Sequence, residues 1–119
     1  MYSLDTYALV EIAQGNEKFK RFMESDFVIS DLTLAEFYAV LLRTSEETAE
    51  TWYKKLSPYS KPADKAILVK AVKFRHQNKS KNLSFFDCAG YIFSKENNYL
   101  FVTGDKEFRT MPNAEFIQK

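Results

Sequence analysis

Four carboxylates stand where carboxylates are costly. Asp5 follows Tyr2-Ser3-Leu4 and precedes Thr6-Tyr7-Ala8-Leu9. Glu36 lies within Leu34-Ala35-Glu36-Phe37-Tyr38, Asp87 within Phe85-Phe86-Asp87-Cys88-Ala89, and Asp105 closes Leu100-Phe101-Val102-Thr103-Gly104. A carboxylate among apolar neighbours must meet a cation or take up a proton. Each of the four also has an ordinary explanation. Asp5 can cap the following helix, Glu36 can pair with Arg43 or a lysine, Asp87 can join Ser84 at a helix start, and Asp105 can be a turn residue. One shared site explains all four together. Like charges that converge need a multivalent cation, and an all-oxygen donor set favours Mg²⁺ or Mn²⁺ over zinc or copper.

Composition removes the competing chemistries. The chain has one histidine, His76, and one cysteine, Cys88, so a four-ligand Cys/His zinc site and an intramolecular disulfide are both excluded. His76 sits in the basic stretch Lys73-Phe74-Arg75-His76-Gln77-Asn78-Lys79 and reads as a solvated surface residue. With only Gly15, Gly90 and Gly104, neither a P-loop nor a G-x-G-x-x-G loop can be written.

The elements that must position these acids alternate between strand and helix. Tyr2–Leu4, Phe27–Ser30 and Tyr99–Val102 read as strands, with a last edge strand at Glu115–Ile117 and at most a stub between Pro58 and Pro62. Helices are expected over Thr6–Gln14, Glu17–Met23, from a cap at Asp31 or Thr33 to Arg43, and from a Ser45 cap through Trp52 to Leu56. Two more follow over Lys61–Asn78 and, from a Ser84 cap, Phe85–Lys95. That alternation implies βαβ crossovers and a parallel sheet covered on both faces. Asp5 and Asp105 then end strands, and Glu36 and Asp87 fall near the starts of helices at the same edge. Sites form beyond the carboxyl ends of such strands.

At 119 residues the chain is one domain, 1–119, with 45% apolar and 28% charged residues. Its apolar runs are too short to cross a membrane, and Met1-Tyr2-Ser3-Leu4-Asp5 has no basic lead, so the expected location is cytoplasmic. Net charge is +1, but the charge is uneven: residues 1–52 hold four basic and ten acidic residues, and residues 53–82 hold nine basic residues and one acid. That stretch is either a phosphate-tracking surface or a solvated helix face. Phe19, Phe22, Trp52 and Tyr53 read as core, or as a groove for a partner helix.

Leu4-Asp5-Thr6-Tyr7-Ala8-Leu9, Thr33-Leu34-Ala35-Glu36, Leu83-Ser84-Phe85-Phe86-Asp87-Cys88-Ala89 and Val102-Thr103-Gly104-Asp105 form an ordered set. Together they resemble the PIN domain, and in particular the VapC-type toxins of prokaryotic toxin–antitoxin pairs. The resemblance spans Tyr2 to Ile117. It implies a three-layer α/β/α sandwich with a mainly parallel, roughly five-stranded sheet. It also implies a Mg²⁺- or Mn²⁺-dependent endoribonuclease, a homodimer and a VapB-like antitoxin that blocks the site. By that resemblance Asp5, Glu36, Asp87 and Asp105 match the acidic metal-binding quartet, and Thr103 matches the hydroxyl residue two before the last acid. The weak third strand and the aromatic helix at 85–93 depart from the pattern. Alternatives are a catalytically silent PIN-like module that binds RNA or protein, a housekeeping RNA-processing nuclease, and an aspartyl-phosphate phosphatase. The last wants an acid two residues after Asp5, where Tyr7 stands.

Overall fold

A computed structural model describes all residues, 1–119. Five strands form one sheet in the order β3-β2-β1-β4-β5: β1 Tyr2–Leu4, β2 Phe27–Ser30, β3 Ser60–Lys61, β4 Leu100–Thr103 and β5 Ala114–Phe116. Every pairing is parallel. Six α-helices connect them: α1 Thr6–Ala13, α2 Glu17–Lys20, α3 Asp31–Leu42, α4 Glu46–Leu56, α5 Lys65–Gln77 and α6 Phe85–Glu96. None is long and apolar enough to cross a membrane.

Strand side chains alternate between two cores, as the pleat requires. Phe27 and Ile29 join Leu4 and Val102 in a cluster with Leu9, Phe19, Phe37 and Leu56, from α1 to α4. Val28 and Phe101 face the other way, into a cluster with Ile67, Ala71, Tyr91 and Phe93 from α5 and α6. The sheet is therefore the middle of three layers.

Each helix starts on a side-chain cap, which satisfies N–H groups that the helix itself leaves orphaned. Asp5, Asn16, Ser30, Ser45, Asp64 and Ser84 fill these positions. Several expected boundaries change. The cap of α3 is Ser30, whose hydroxyl accepts the Thr33 N–H at 3.2 Å, instead of Asp31 or Thr33. The last residue of β2 thus also starts the next helix. Helix α5 begins at Lys65, not Lys61, because Lys61 is drawn into β3 against Ser30 and Pro62 follows it. The expected helix over Glu17–Met23 tightens to a 3₁₀ turn at Arg21–Glu24. The stub near Pro58 is a two-residue edge strand, paired Ile29 with Ser60 and Ser30 with Lys61.

Candidate active site

Parallel strands put their carboxyl ends on one edge. There β1 ends at Leu4 and β4 at Thr103, and α1 and α3 begin. The chain delivers Asp5 and Asp105 one and two residues past their strands. Glu36 comes from the second turn of α3, one turn deeper than its sequence neighbours suggest, and Asp87 from the first turn of α6.

Each carboxylate already has one oxygen engaged. Asp5 Oδ1 accepts the Ala8 N–H at 2.8 Å. Asp87 Oδ2 accepts the Ser84 N–H at 2.9 Å, while Ser84 Oγ accepts the Asp87 N–H at 3.1 Å, which makes a reciprocal capping box. Asp105 Oδ1 accepts the Glu107 N–H at 2.9 Å and starts a 3₁₀ turn over Lys106–Phe108. Glu36 Oε1 accepts the Thr6 hydroxyl. The capping explanations for Asp5 and Asp87 therefore hold, and they do not compete with a shared site. A cap uses one oxygen and fixes the side chain.

The four acids share one electric field. Burial, above all, pushes the Asp5 carboxyl up to about 7, with Asp87 and Asp105 raising it further; the Thr103 hydroxyl and the Ala8 N–H pull the other way. Burial likewise raises Glu36, offset by Thr6 and added to by Asp87. It raises Asp87, which also feels Asp105 and, in the opposite sense, Arg75. Carboxylates whose pKa values are raised by burial and by one another are a mark of a site built for a cation or for acid–base work. No three of the chain's Asp, Glu, His and Cys side chains close on a common point, so the acids lie near one another without forming a finished cage.

Thr103 is fully buried. Its hydroxyl lies beside Asp5 and accepts the Asp105 N–H at 3.0 Å. It ties the two strand-end acids together. Thr6 donates its hydroxyl to Glu36. His76 is exposed, as expected. Glu11, which sequence reasoning passed over, is as buried as Asp5, whereas Glu36, Asp87 and Asp105 are half-buried. Its setting, Leu9-Val10-Glu11-Ile12-Ala13, carries the same signal as the other four. Glu11 is satisfied elsewhere, by Asn16 Nδ2 at 3.0 Å and Lys119 Nζ at 3.5 Å.

Gly104 lets the chain turn between Thr103 and Asp105. A Cβ there would run into the Tyr7 ring, which packs on Phe19 with centroids 6.0 Å apart. Gly104→Ala should cost roughly 1–3 kcal/mol by overpacking and shift Asp105 off the edge. Urea unfolding should show the loss, and Mn²⁺ titration should show weaker binding. A variant matching wild type in both would show that Tyr7 yields freely.

The PIN-domain family profile matches residues 2–114. The chain belongs to the PIN-domain family. Among solved structures, this PIN domain is similar to a toxin–antitoxin complex from Klebsiella pneumoniae, with a TM-score of 0.80 and 18% identity over 97% of this chain and 96% of that one. It is similar to VapC20 of Mycobacterium tuberculosis, a sarcin–ricin-loop-cleaving toxin, with a TM-score of 0.76 and 16% identity over 100% and 98% of the two chains. It is also similar to VapBC2 from Rickettsia felis bound to a DNA fragment from their promoter, with a TM-score of 0.77 and 18% identity over 98% of each chain. At these identities the likeness establishes the fold. No curated protein sequence matches the chain significantly.

Proposed function

We propose that this PIN domain is a metal-dependent endoribonuclease acting in the cytoplasm as the toxin of a toxin–antitoxin pair. The observation that carries the reading is the convergence of Asp5, Glu36, Asp87 and Asp105, from four separate segments, into one field at the carboxyl edge of the sheet. The donor set fits a hard divalent cation. It is all oxygen, and three of its acids are raised by burial and mutual repulsion, a cost that a cation would offset. Asp5, Glu36 and Asp87 would hold Mg²⁺ or Mn²⁺, with Asp105 as the weaker ligand or the acceptor for the attacking water. When bound, such an ion lowers the pKa of water and offsets charge on the phosphoryl oxygens.

The chain's own residues supply the rest. Caps at Ala8, Ser84 and Glu107 keep three carboxylates from turning away. Thr6 orients Glu36, and Thr103 couples Asp5 to Asp105. The second oxygen of Asp105, not used by its cap, would take the proton of the water that attacks in line. The products are then a 5′-phosphate and a 3′-hydroxyl.

Partner recognition is assigned to a different surface, at the end of α1 and the start of β2. Ile12, Met23, Trp52, Lys55 and Tyr59 line a groove of about 540 Å³ between α1 and α4. Phe19 and Phe22 are core beneath it, and Trp52 is half-buried against them. An amphipathic antitoxin helix fits that surface. A VapB-like antitoxin completes the reading, supported by structural neighbours from toxin–antitoxin complexes, and a homodimer is what the family resemblance implies.

Purified protein incubated with structured RNA should cleave it in Mg²⁺ or Mn²⁺ and stop in EDTA. Fragments should accept 3′-end ligation directly. Cleavage that persists in EDTA, or cyclic phosphate ends, would contradict the mechanism. Metal binding without any cleavage would favour the silent binding module.

A further inference from the structure

Basic residues of the 53–82 stretch do not form one surface. Helix α5 splits them between two sides. Arg75, His76 and Lys79, with Lys81, Leu83 and Phe85 from the loop and start of α6, line a groove of about 510 Å³. No acid lines it. Lys70 and Lys73 line a separate groove with Lys95 and Glu96, and Lys70 is ion-paired with Glu96. Glu96 lies nine residues beyond Asp87 on α6, about 13 Å along the axis, so this second side is far from the acids.

The first groove is joined to the acidic edge. Arg75 Nε donates to the Leu83 carbonyl at 2.9 Å, and its terminal nitrogens make no protein hydrogen bond. Leu83 precedes Ser84, the residue that holds Asp87 at both ends of the capping box. The charge on Arg75 is felt at Asp87. Phe85 lines the groove, and Phe86, beside Asp87, is 38% exposed with its ring centroid 6.0 Å from that of Phe85. A row of cations without acids suits phosphates, and exposed aromatic faces suit unpaired bases. The row ends beside Asp87.

We infer that the groove between α5 and the start of α6 binds single-stranded RNA next to the scissile phosphate. Arg75, Lys79 and Lys81 contact backbone phosphates and Phe86 stacks on a base. Arg75 is the fixed clamp, because its guanidinium is braced by Leu83 while its outer nitrogens remain free. The inference rests on the nuclease reading for its substrate and adds the path that substrate takes.

Binding of a fluorescein-labelled 12-nucleotide single-stranded RNA, measured by anisotropy in EDTA on an Asp5→Asn background, tests it. Lys79→Ala/Lys81→Ala should weaken binding about five- to tenfold and lower the salt slope by about 1.4, at roughly 0.7 per phosphate contact. Phe86→Ala should weaken the single strand about tenfold and leave duplex RNA within twofold. Lys70→Ala/Lys73→Ala should stay within twofold of the parent. Lys79 and Lys81 make no side-chain contact that folding needs, so a normal melting curve is expected. Equal losses from both lysine pairs, or none from the groove pair, would overturn the assignment. So would unchanged RNA affinity together with lost binding of a polyglutamate peptide, which would assign the groove to an acidic protein. In the metal-dependent cleavage assay with Asp5 intact, wild-type cleavage with an unchanged KM in the groove variant sinks only the groove. Groove-dependent binding without wild-type cleavage sinks only the nuclease reading.

Discussion

Asp5→Asn is expected to abolish RNA cleavage, with kcat falling at least about 10³-fold, the several kcal/mol that a bound metal contributes to the transition state. The substitution is clean for physical reasons. Asn and Asp serve equally well as N-caps, so the Oδ1 bond to the Ala8 N–H and the start of α1 survive. Neighbouring core residues Leu4, Ala8 and Leu9 keep their packing. What is lost is the charge of the most buried of the four acids. Affinity for RNA should change less than threefold, because the basic groove is formed by other residues. Mn²⁺ affinity, followed by isothermal titration, should fall with the rate. A variant that keeps a tenth of wild-type turnover would remove Asp5 from the mechanism.

The second large effect is on stability, and its sign is unusual for an acid. A carboxylate paired in the folded state stabilises as pH rises; Asp5 does the reverse. Its pKa stands near 7 in the fold against 3.8 in the open chain, chiefly through burial. The folded state therefore binds the proton more tightly than the unfolded state does. That stabilisation is fully present below about pH 3.8, shrinks as pH rises and is gone above about pH 7. A difference of about three units corresponds to roughly 4 kcal/mol. In metal-free protein, Asp5→Asn should thus be more stable than wild type by a few kcal/mol at pH 7.5, and the gap should close toward pH 4. Glu36 and Asp87 shift in the same direction and deepen the slope. Denaturant unfolding at several pH values in EDTA measures it. Mn²⁺ should restore wild-type stability at pH 7.5, do little at pH 5 and release protons as it binds. A wild type that matches Asp5→Asn at every pH would mean that Asp5 is ionised without cost, and the site would lose its electrostatic rationale.

Stability spent at this edge is what separates these acids from ordinary surface carboxylates. Glu11 shows the contrast within the same helix as the Asp5 cap. It is as buried as Asp5, but Asn16 and Lys119 satisfy it. Burial alone therefore does not single out a candidate site acid; burial beside other acids, without an ion pair to a cation of the protein's own, does.

Much of this was legible in the linear chain. Apolar runs at Phe27–Ser30 and Leu100–Val102, Ser and Asp before helical patterns, and acids inside apolar segments are local signals with local causes. They are enough for the alternation of strand and helix and the covered parallel sheet, and for naming four acids as candidates. Fold decided the rest, because it depends on distances between segments. Ser60–Lys61 is a strand only because Ile29 and Ser30 offer it a partner; two residues beside Pro62 carry no such signal alone. Thr103 links Asp5 to Asp105 only once β1 and β4 lie side by side. The nine cations of residues 53–82 read as one patch in sequence, yet α5 sets Arg75, with Lys79 just past its end, into one groove and Lys70 into another beside Glu96. A helix separates residues three apart from residues five apart by which side they face, and only the packing of α6 against α5 determines which side meets the acids.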